Sequence, residues 1–594
     1  MQALHTLIHS LTPNETELVK KFLTCFASRE GEDNIQSLRL FEYLLNRKKI
    51  PDEEYCCIHV YGTPKKEETF IVLKHRLKEK ILDLLLTDIS SDKQKELDEM
   101  DLAIIKMQKK SAQFQQLYYS KKRIPLLYVL LDEIIDMAKK YERYAMLVEH
   151  LRHKKNLVSF KQGKKEFEKI NKEMEYYLKC SILYNKAEHY YYKLGMLSIY
   201  SGKPDDNYKL SFLEKAIAEI AEENKEIKSP HVSYSLKFLE LEFYQMKENY
   251  FKARSVCMEL LKIVLSNKSV YRRQRLGVVH DNLSRCELYL ALSKQSSYKS
   301  VEAAEHFEHA LTSAREAQKY FNLNSENYCI ALEQEFYAEF YHPSPPLPKG
   351  EGAECTTLSP FGGEMERGCG AVSISRKMIS SASRKELGEF RYAKYNYLLA
   401  NALFQSGRFT ESLDILSEER EIASDKSGWE TGARILTIMA LIEMRRHDEA
   451  SLAVHALKRF FIRIEKESGE IETGITSVSA RDKKILNLLQ QAERKGFAFH
   501  LLNGTAEKNI SMLSSPCLQR EKAESAALPS SPPSGELEGA LSWQPFTPEL
   551  IPFHEWFEGK MNSGTESGEN KAREKKKEVA HSRKKFLFLF INSE

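Results

Sequence analysis

Two histidines one helical turn apart are the residues of this chain best suited to bind a metal ion. They are His306 and His309, and Glu302 and Glu305 lie close before them. On a helix, residues three positions apart lie on the same side, so both imidazoles could reach one ion. The surrounding pattern assigns Phe307 to the core and leaves these polar residues on the solvent side. Because the sequence shows no third ligand, we predict no metal site.

A cysteine with two histidines in the same N-terminal stretch is the second arrangement that could carry chemistry. Cys25 would act as a nucleophile and His5 or His9 as its base, but nothing in the sequence supplies an orienting partner or an oxyanion hole. We therefore interpret Cys25 as a core residue. The sequence also lacks a glycine-rich phosphate loop, a dinucleotide fingerprint and a His-Glu-x2-His motif. We predict a protein that is not an enzyme and that holds no cofactor.

Positive charge is concentrated between residues 106 and 172. The whole chain has 89 lysines and arginines against 85 acidic residues, so its net charge of +4 creates no global field. In this block basic residues outnumber acidic ones, and a shared basic face could bind phosphate backbones of a nucleic acid. The residues assigned to such contacts are Lys154, Lys155, Lys164 and Lys165. The alternative is a solvated helical surface balanced by acidic helices such as residues 214–226.

The elements that must position these side chains are helical hairpins, and two of them have nearly the same pattern. One covers residues 399–416 and turns at Gly407, and the other covers residues 438–457 and has Arg445 at the turn. Two further copies align upstream, at residues 241–260 and 303–311. Small residues occupy the position where the two helices of each hairpin would cross, namely Ser412, Ala450, Ala253 and Ala303. A recurring hairpin of this kind is typical of stacked repeat proteins.

The pattern resembles a divergent tetratricopeptide repeat, with apolar positions in helix A, a Gly-x-aromatic turn, and a small residue before an aromatic and an alanine in helix B. The signature tryptophan is absent, and only Gly407 keeps the turn glycine. The resemblance implies a right-handed α-solenoid in which helix A lines a concave groove for a peptide or helix. The groove residues that it implies are Tyr397, Asn401, Phe404, Ile435, Met439, Ile442, Phe238, Glu242 and Met246. The alternative is that these groups are buried under adjoining helices.

The first 92 residues are expected to form a small separate helical module. Thr12-Pro-Asn-Glu15 is a capping box, and an apolar helical pattern follows it. The opening Leu4-x2-Leu-Ile-x-Ser-Leu-Thr, together with residues 141–152, is similar to uncharacterised helical-repeat proteins of Bacteroidetes bacteria. That resemblance implies a cytoplasmic bacterial scaffold.

Proline placement divides the rest of the chain, because proline removes a backbone donor and disrupts helix interiors. The predicted segments are TPR-like repeats at 93–341, a disordered Pro/Gly-rich insertion at 342–383, further repeats at 384–510, a disordered Pro/Ser-rich insertion at 511–546, a capping helix at 547–560 and a basic tail at 561–594. No apolar run is long enough to span a membrane, and no secretory signal is present, so a cytoplasmic location is predicted.

These observations together predict an all-α, non-catalytic protein-interaction scaffold. Its partner would be a protein or peptide held in the groove, and binding of nucleic acid through residues 106–172 is the alternative function. The sequence indicates neither the identity of the partner nor the oligomeric state.

Overall fold

The structure is a computed structural model that describes most of the chain. The described residues are 1–27, 32–47, 49–63, 67–87, 97–120, 124–159, 164–199, 206–293, 301–323, 325–342, 367–381, 388–418, 429–470, 478–502, 504–514 and 549–562. In these stretches every regular element is a helix and no β-strand occurs. The all-α prediction is therefore confirmed. The chain divides into two compact units, Met1–Lys110 and Ser111–Glu594.

The N-terminal unit is a small helical module with its own apolar core. Its helices are α1 (Gln2–His9), α2 (Pro13–Ala27), α3 (Glu32–Leu45), α4 (Glu53–Tyr61) and α5 (Glu67–Thr87), and α6 (Glu99–Tyr119) crosses the boundary between the units. Phe41, Leu44 and Leu77 are fully buried in that core. The predicted capping box is present, because the backbone N–H of Thr12 donates to the Glu15 carboxylate at 2.8 Å.

The structure places Cys25 on the surface of the N-terminal unit. Its side chain is exposed, so our interpretation of it as a core residue is wrong. The two histidines are occupied elsewhere, since Nε2 of His5 lies 2.9 Å from the carbonyl oxygen of Arg47 and Nε2 of His9 lies 3.1 Å from that of Leu44. Both carbonyls are at the end of α3, where a helix leaves acceptors unsatisfied.

The second unit is a series of helices in which neighbours along the chain pack against each other. They are α7 (Ile124–Lys140), α8 (Tyr144–Ser159), α9 (Lys164–Ile199), α10 (Asp206–Ile227), α11 (Pro230–Met246), α12 (Tyr250–Ser266), α13 (Arg273–Ser293), α14 (Val301–Tyr320), α15 (Glu326–Tyr341), α16 (Arg367–Ser381), α17 (Glu389–Gln405), α18 (Phe409–Glu418), α19 (Trp429–Glu443), α20 (His447–Glu470), α21 (Ala480–Arg494), α22 (Gly504–Ser514) and α23 (553–562), with a 3₁₀ turn at Phe499–Leu501. We call the odd-numbered helices α7–α21 the A helices and their even-numbered partners the B helices. The predicted crossing positions are small and fully buried, as Ser412 and Ala450 illustrate.

Two of the hairpins turn in the same way although their sequences differ at the turn. Gly407 has φ +75° and Arg445 has φ +58°, so both adopt the left-handed conformation. In both turns the N–H of this residue donates to the carbonyl three residues back at 3.0 Å, and the next N–H donates five residues back at 2.9 Å. This is the hydrogen-bonding pattern of a Schellman motif, which satisfies the last carbonyls of the A helix.

Arg445→Gly is expected to raise the free energy of unfolding by about 0.5–1 kcal/mol. The left-handed conformation costs a residue with a Cβ about 1–2 kcal/mol, and the greater freedom of glycine in the unfolded chain offsets part of that gain. Gly407→Ala at the matching position should lower it by about 1 kcal/mol. Urea unfolding of both variants checks the pair. A loss of stability in Arg445→Gly would show that the arginine side chain makes a contact worth more than the strain.

The predicted disordered insertion at 342–383 is wrong for residues 367–381, which form α16. Ala371 and Met378 on this helix are fully buried, and α16 packs as the B helix of α15 and against α17. In the sequence, Gly368, Gly370 and the nearby prolines obscure the short apolar helical spacing of this element. Residues 343–366 and 382–387, most of the second insertion and most of the basic tail lie outside the described residues.

No helix in the described stretches combines the length and the apolar character needed to cross a bilayer.

Candidate partner-binding groove

Six of the predicted groove residues are core residues of the second unit. Tyr397, Asn401, Phe404, Ile435, Met439 and Ile442 are only 1–6% exposed. Tyr397 packs edge-on against Trp429, with ring centroids 5.6 Å apart, and its burial raises the pKa of its hydroxyl. The side chain of Asn401 donates to the carbonyl oxygen of Tyr397 at 2.9 Å. These residues lie on the A helices α17 and α19, and they are buried.

The apolar cluster around them also includes a segment from much later in the chain, residues 549–562, which we call the terminal segment. It contains α23, and four of its apolar side chains are 0–2% exposed in the same apolar cluster as five of the six residues above, all but Asn401. They are Leu550, Phe553, Trp556 and Phe557. The predicted capping helix at 547–560 thus corresponds to a helix that packs along the A helices.

Polar contacts hold the terminal segment to three of the A helices. The Tyr341 hydroxyl at the end of α15 donates to the carbonyl oxygen of Leu550 at 3.2 Å. At the end of α19, one oxygen of the Glu443 carboxylate accepts the indole N–H of Trp556 at 2.7 Å, and the other accepts Lys560 at 2.6 Å. These contacts fix the position of α23 along the A helices and the direction in which it runs.

The third A helix, α21, contributes a buried ion pair. The guanidinium of Arg481 donates to both oxygens of the Glu549 carboxylate, at 2.5 and 2.7 Å, and to the carbonyl oxygen of Leu513 at 3.0 Å. Glu549 also accepts the backbone N–H of Phe553 at 2.8 Å and so caps the first turn of α23. The side chains of Arg481 and Glu549 are 8% and 14% exposed. The carboxylate of Glu549 therefore both caps the N-terminus of α23 and anchors this helix to α21.

The three upstream groove residues lie apart from these six, on α11. Phe238 is 7% exposed and packs in a separate apolar cluster, with its ring edge-on to Tyr191. Glu242 and Met246 are half-buried. The structure therefore does not bring the nine predicted residues into one continuous site.

Two carboxylates on this upstream stretch, those of Glu242 and Asp281, have raised pKa values. Burial raises the pKa of Glu242, and on α13 burial raises the pKa of Asp281 to about 6, while the positive charge of Arg285 opposes both shifts. The guanidinium of Arg285 lies 3.5 Å from Asp281 Oδ2. Within the described residues, Oδ1 of Asp281 is buried and accepts no hydrogen bond. The upstream stretch thus has an incompletely satisfied carboxylate beside apolar side chains.

The four lysines proposed to contact nucleic acid are partly engaged with neighbouring side chains. Lys154 lies 2.6 Å from Asp132, Lys155 donates to the Asn171 side chain at 3.1 Å, and Lys164 lies 3.7 Å from Glu168. Lys164 and Lys165 are exposed, whereas Lys154 and Lys155 are half-buried. These pairings leave less unpaired positive charge than the sequence count suggests.

One functional candidate was missed by sequence reasoning. The structure brings Glu287 of α13 beside His306 and His309 of α14, so a carboxylate lies where no third ligand was found. The signal in the sequence would have been the register between α13 and α14, which the pattern of neither helix determines alone.

No protein-family model matches this chain, and no curated protein matches it. Its sites are therefore interpreted from their own geometry.

Lowering the pH is expected to loosen the terminal segment through His554. Burial, with the nearby charge of Arg481, lowers the pKa of His554 to about 4. Nη2 of Arg481 lies 3.4 Å from Nδ1 of His554. Between an ordinary histidine pKa of about 6.5 and the lowered value, the released segment takes up a proton that the docked segment does not. Docking should therefore weaken by at most about 1.4 kcal/mol per pH unit as the pH falls through that window.

Hydrogen exchange of residues 553–562 between pH 7 and pH 4.5, after correction for the intrinsic exchange rate, measures this effect. His554→Asn should flatten the dependence, whereas the exposed His189→Asn should leave it unchanged. Equal pH dependence in His554→Asn and the parent chain would show that another group controls release.

Proposed function

We propose that this protein is a cytoplasmic, non-catalytic interaction scaffold, and that its hairpins form a right-handed, tetratricopeptide-like α-solenoid whose A helices bind an amphipathic helix of a protein partner. The observation that carries this proposal is the terminal segment, an aromatic helix seated across the A helices α15, α19 and α21. The free thiols of the described cysteines, among them the buried Cys257 and Cys286, are in keeping with a reducing compartment.

The contacts of the terminal segment are those of a helix bound in a groove. Trp556 and Phe553 are apolar anchors in a desolvated pocket, and the ion pair of Glu549 with Arg481 sets the register. Large aromatic anchors of this kind supply most of the binding energy in helix–groove interfaces. The A helices are thus suited to helix recognition, and the chain itself provides the occupant of the downstream part.

A partner would use the upstream stretch on α11 and α13. Met246 offers partly exposed apolar surface there, and the carboxylate of Glu242 on the same helix is half-buried. A partner helix with an apolar anchor flanked by a lysine or arginine would satisfy both features, because an opposite charge favours the ionised carboxylate. The guanidinium of Arg285 would then donate to a carboxylate or carbonyl oxygen of the same partner.

The test is affinity capture from the native cell with the full-length chain and two variants. Glu242→Gln/Met246→Ala removes the proposed contacts. Met258→Ala on the neighbouring B helix α12 is the matched control, since Met258 is 52% exposed on the same hairpin. We expect the double variant to lose a partner that the control retains, and hydrogen exchange on the complex to show protection in α11 and α13.

Two results would contradict the proposal. Equal recovery of the same partners by all three chains would remove the upstream stretch from recognition. Recovery of no specific partner, combined with no protection of α11 or α13 in the cell extract, would reject the scaffold function itself.

A further inference from the structure

A carboxylate and two imidazoles meet between α13 and α14. One ligand atom from each of Glu287, His306 and His309 lies within 4.8 Å of the others. Nδ1 of His306 is 2.6 Å from an oxygen of Glu287. The three residues come from two neighbouring helices, and His306 and His309 lie one turn apart on the same side of α14.

The carboxylate of this cluster is deeply buried and held in position. The Glu287 side chain is 2% exposed, and its other oxygen accepts the Nε–H of Arg254 from α12. A buried carboxylate is costly unless it is paired and hydrogen-bonded. Arg254 satisfies one oxygen and orients the other toward the imidazoles. In metal sites, ligating carboxylates receive this kind of outer hydrogen bond, which fixes their orientation.

We propose that Glu287, His306 and His309 bind one divalent transition-metal ion, with zinc as the expected occupant. Two histidines and one carboxylate are a common three-ligand set for zinc, and water completes the coordination. Zinc bonds of about 2.0–2.1 Å in a tetrahedral arrangement place ligand atoms roughly 3.3 Å apart. His306 and Glu287, now 2.6 Å apart, would move slightly apart around the ion, and the exposed imidazole of His309 would turn toward it.

The proposed ion would replace the hydrogen bond between His306 and Glu287. The imidazole nitrogen that now bonds Glu287 would become a metal ligand, and its proton would pass to solvent. Arg254 keeps its bond to the second carboxylate oxygen, so the ion brings extra positive charge. Glu305 and Glu308, which are exposed on α14, add negative charge near the site. The ion would connect α13 to α14 and stabilise that hairpin.

The full-length chain, stripped with a chelator and dialysed, tests this proposal with zinc chloride alone. We expect calorimetry to find one tight zinc ion per chain, saturating zinc to raise the midpoint of thermal unfolding, and magnesium at the same concentration to leave it unchanged. Lowering the pH from 7.5 to 5.5 should weaken zinc binding, because protons compete for the imidazoles.

His309→Ala and His306→Ala are the informative variants. His309 is exposed, so its removal should leave the apo protein folded while weakening zinc binding by about 10–100-fold or more. His189→Ala on α9 is the matched control, since His189 is also an exposed helical histidine and should keep full affinity. Unchanged zinc affinity in His309→Ala, or equal losses in His309→Ala and His189→Ala, would overturn the site. Because the variants lie outside the proposed partner-binding stretch, this outcome is separable from failure of the scaffold function.

Discussion

Trp556→Ala should lower the free energy of unfolding of the second unit by about 3–5 kcal/mol. The indole is 2% exposed and packs in the apolar cluster with Phe499 and Phe557, so its loss leaves a large cavity. It also removes the N–H that donates to Glu443 at 2.7 Å, and the side chain of Glu443 is only 6% exposed. Urea unfolding followed by far-UV circular dichroism measures the effect without relying on tryptophan fluorescence.

Trp556→Phe is the matched variant for this prediction. It keeps an aromatic ring in the pocket but deletes the hydrogen bond to a charged acceptor, which is worth about 1.5–3 kcal/mol. We therefore expect an intermediate loss. If Trp556→Ala leaves the unfolding curve unchanged and only accelerates hydrogen exchange in residues 553–562, the terminal segment is a detachable ligand of the unit. If the unfolding curve shifts to lower urea concentrations, the terminal segment is part of the core of the unit.

Glu549→Ala should cost about 3–5 kcal/mol, because it leaves the guanidinium of Arg481 buried without its counter-charge. The same change removes the acceptor for the backbone N–H of Phe553 at the start of α23. Arg481→Met removes the counter-charge of the Glu549 carboxylate instead. Because Glu549 is more exposed than Arg481, this variant should lose less stability than Glu549→Ala. Urea unfolding of both single variants measures these effects.

The double variant Arg481→Met/Glu549→Leu distinguishes a charge effect from simple loss of contacts. Replacing both members of a buried pair with apolar groups is often close to neutral, so the double variant should be more stable than Glu549→Ala. With Glu549→Leu measured as the second single variant beside Arg481→Met, the double-mutant cycle should give a coupling energy of about 0.5–3 kcal/mol. A double variant that loses the sum of the two single losses would show that the pair does not couple.

The all-α class and four of the hairpins follow from local signals in the sequence. The small residues at Ser412 and Ala450 predicted close helix crossings, and both are fully buried. The turn at Arg445 was recognised only by alignment to Gly407, yet both adopt the same left-handed conformation. Local propensity failed at α16, whose glycines weaken the helical signal and whose stability comes from packing against α15 and α17.

The candidate sites depend on long-range contacts that a single sequence does not encode locally. The pattern placed Tyr397 and Met439 on A helices, but nothing near them indicates that residues 549–562 join the same apolar cluster. In the same way, Glu287 reaches His306 only because α13 and α14 pack in one particular register. A periodic pattern identifies the inner face of a helix, and the partner that fills that face is set by tertiary packing.

The interval between α15 and α16 suggests a practical use of this chain. Residues 342–366 separate two helices that nevertheless pack as one hairpin. Since the entropy of closing a loop grows only with the logarithm of its length, a further insertion there adds little cost. An affinity tag or a fluorescent reporter placed between residues 348 and 360 should therefore leave the hairpin intact. That position would give a handle for capture that leaves both chain ends, and the docked terminal segment, unmodified.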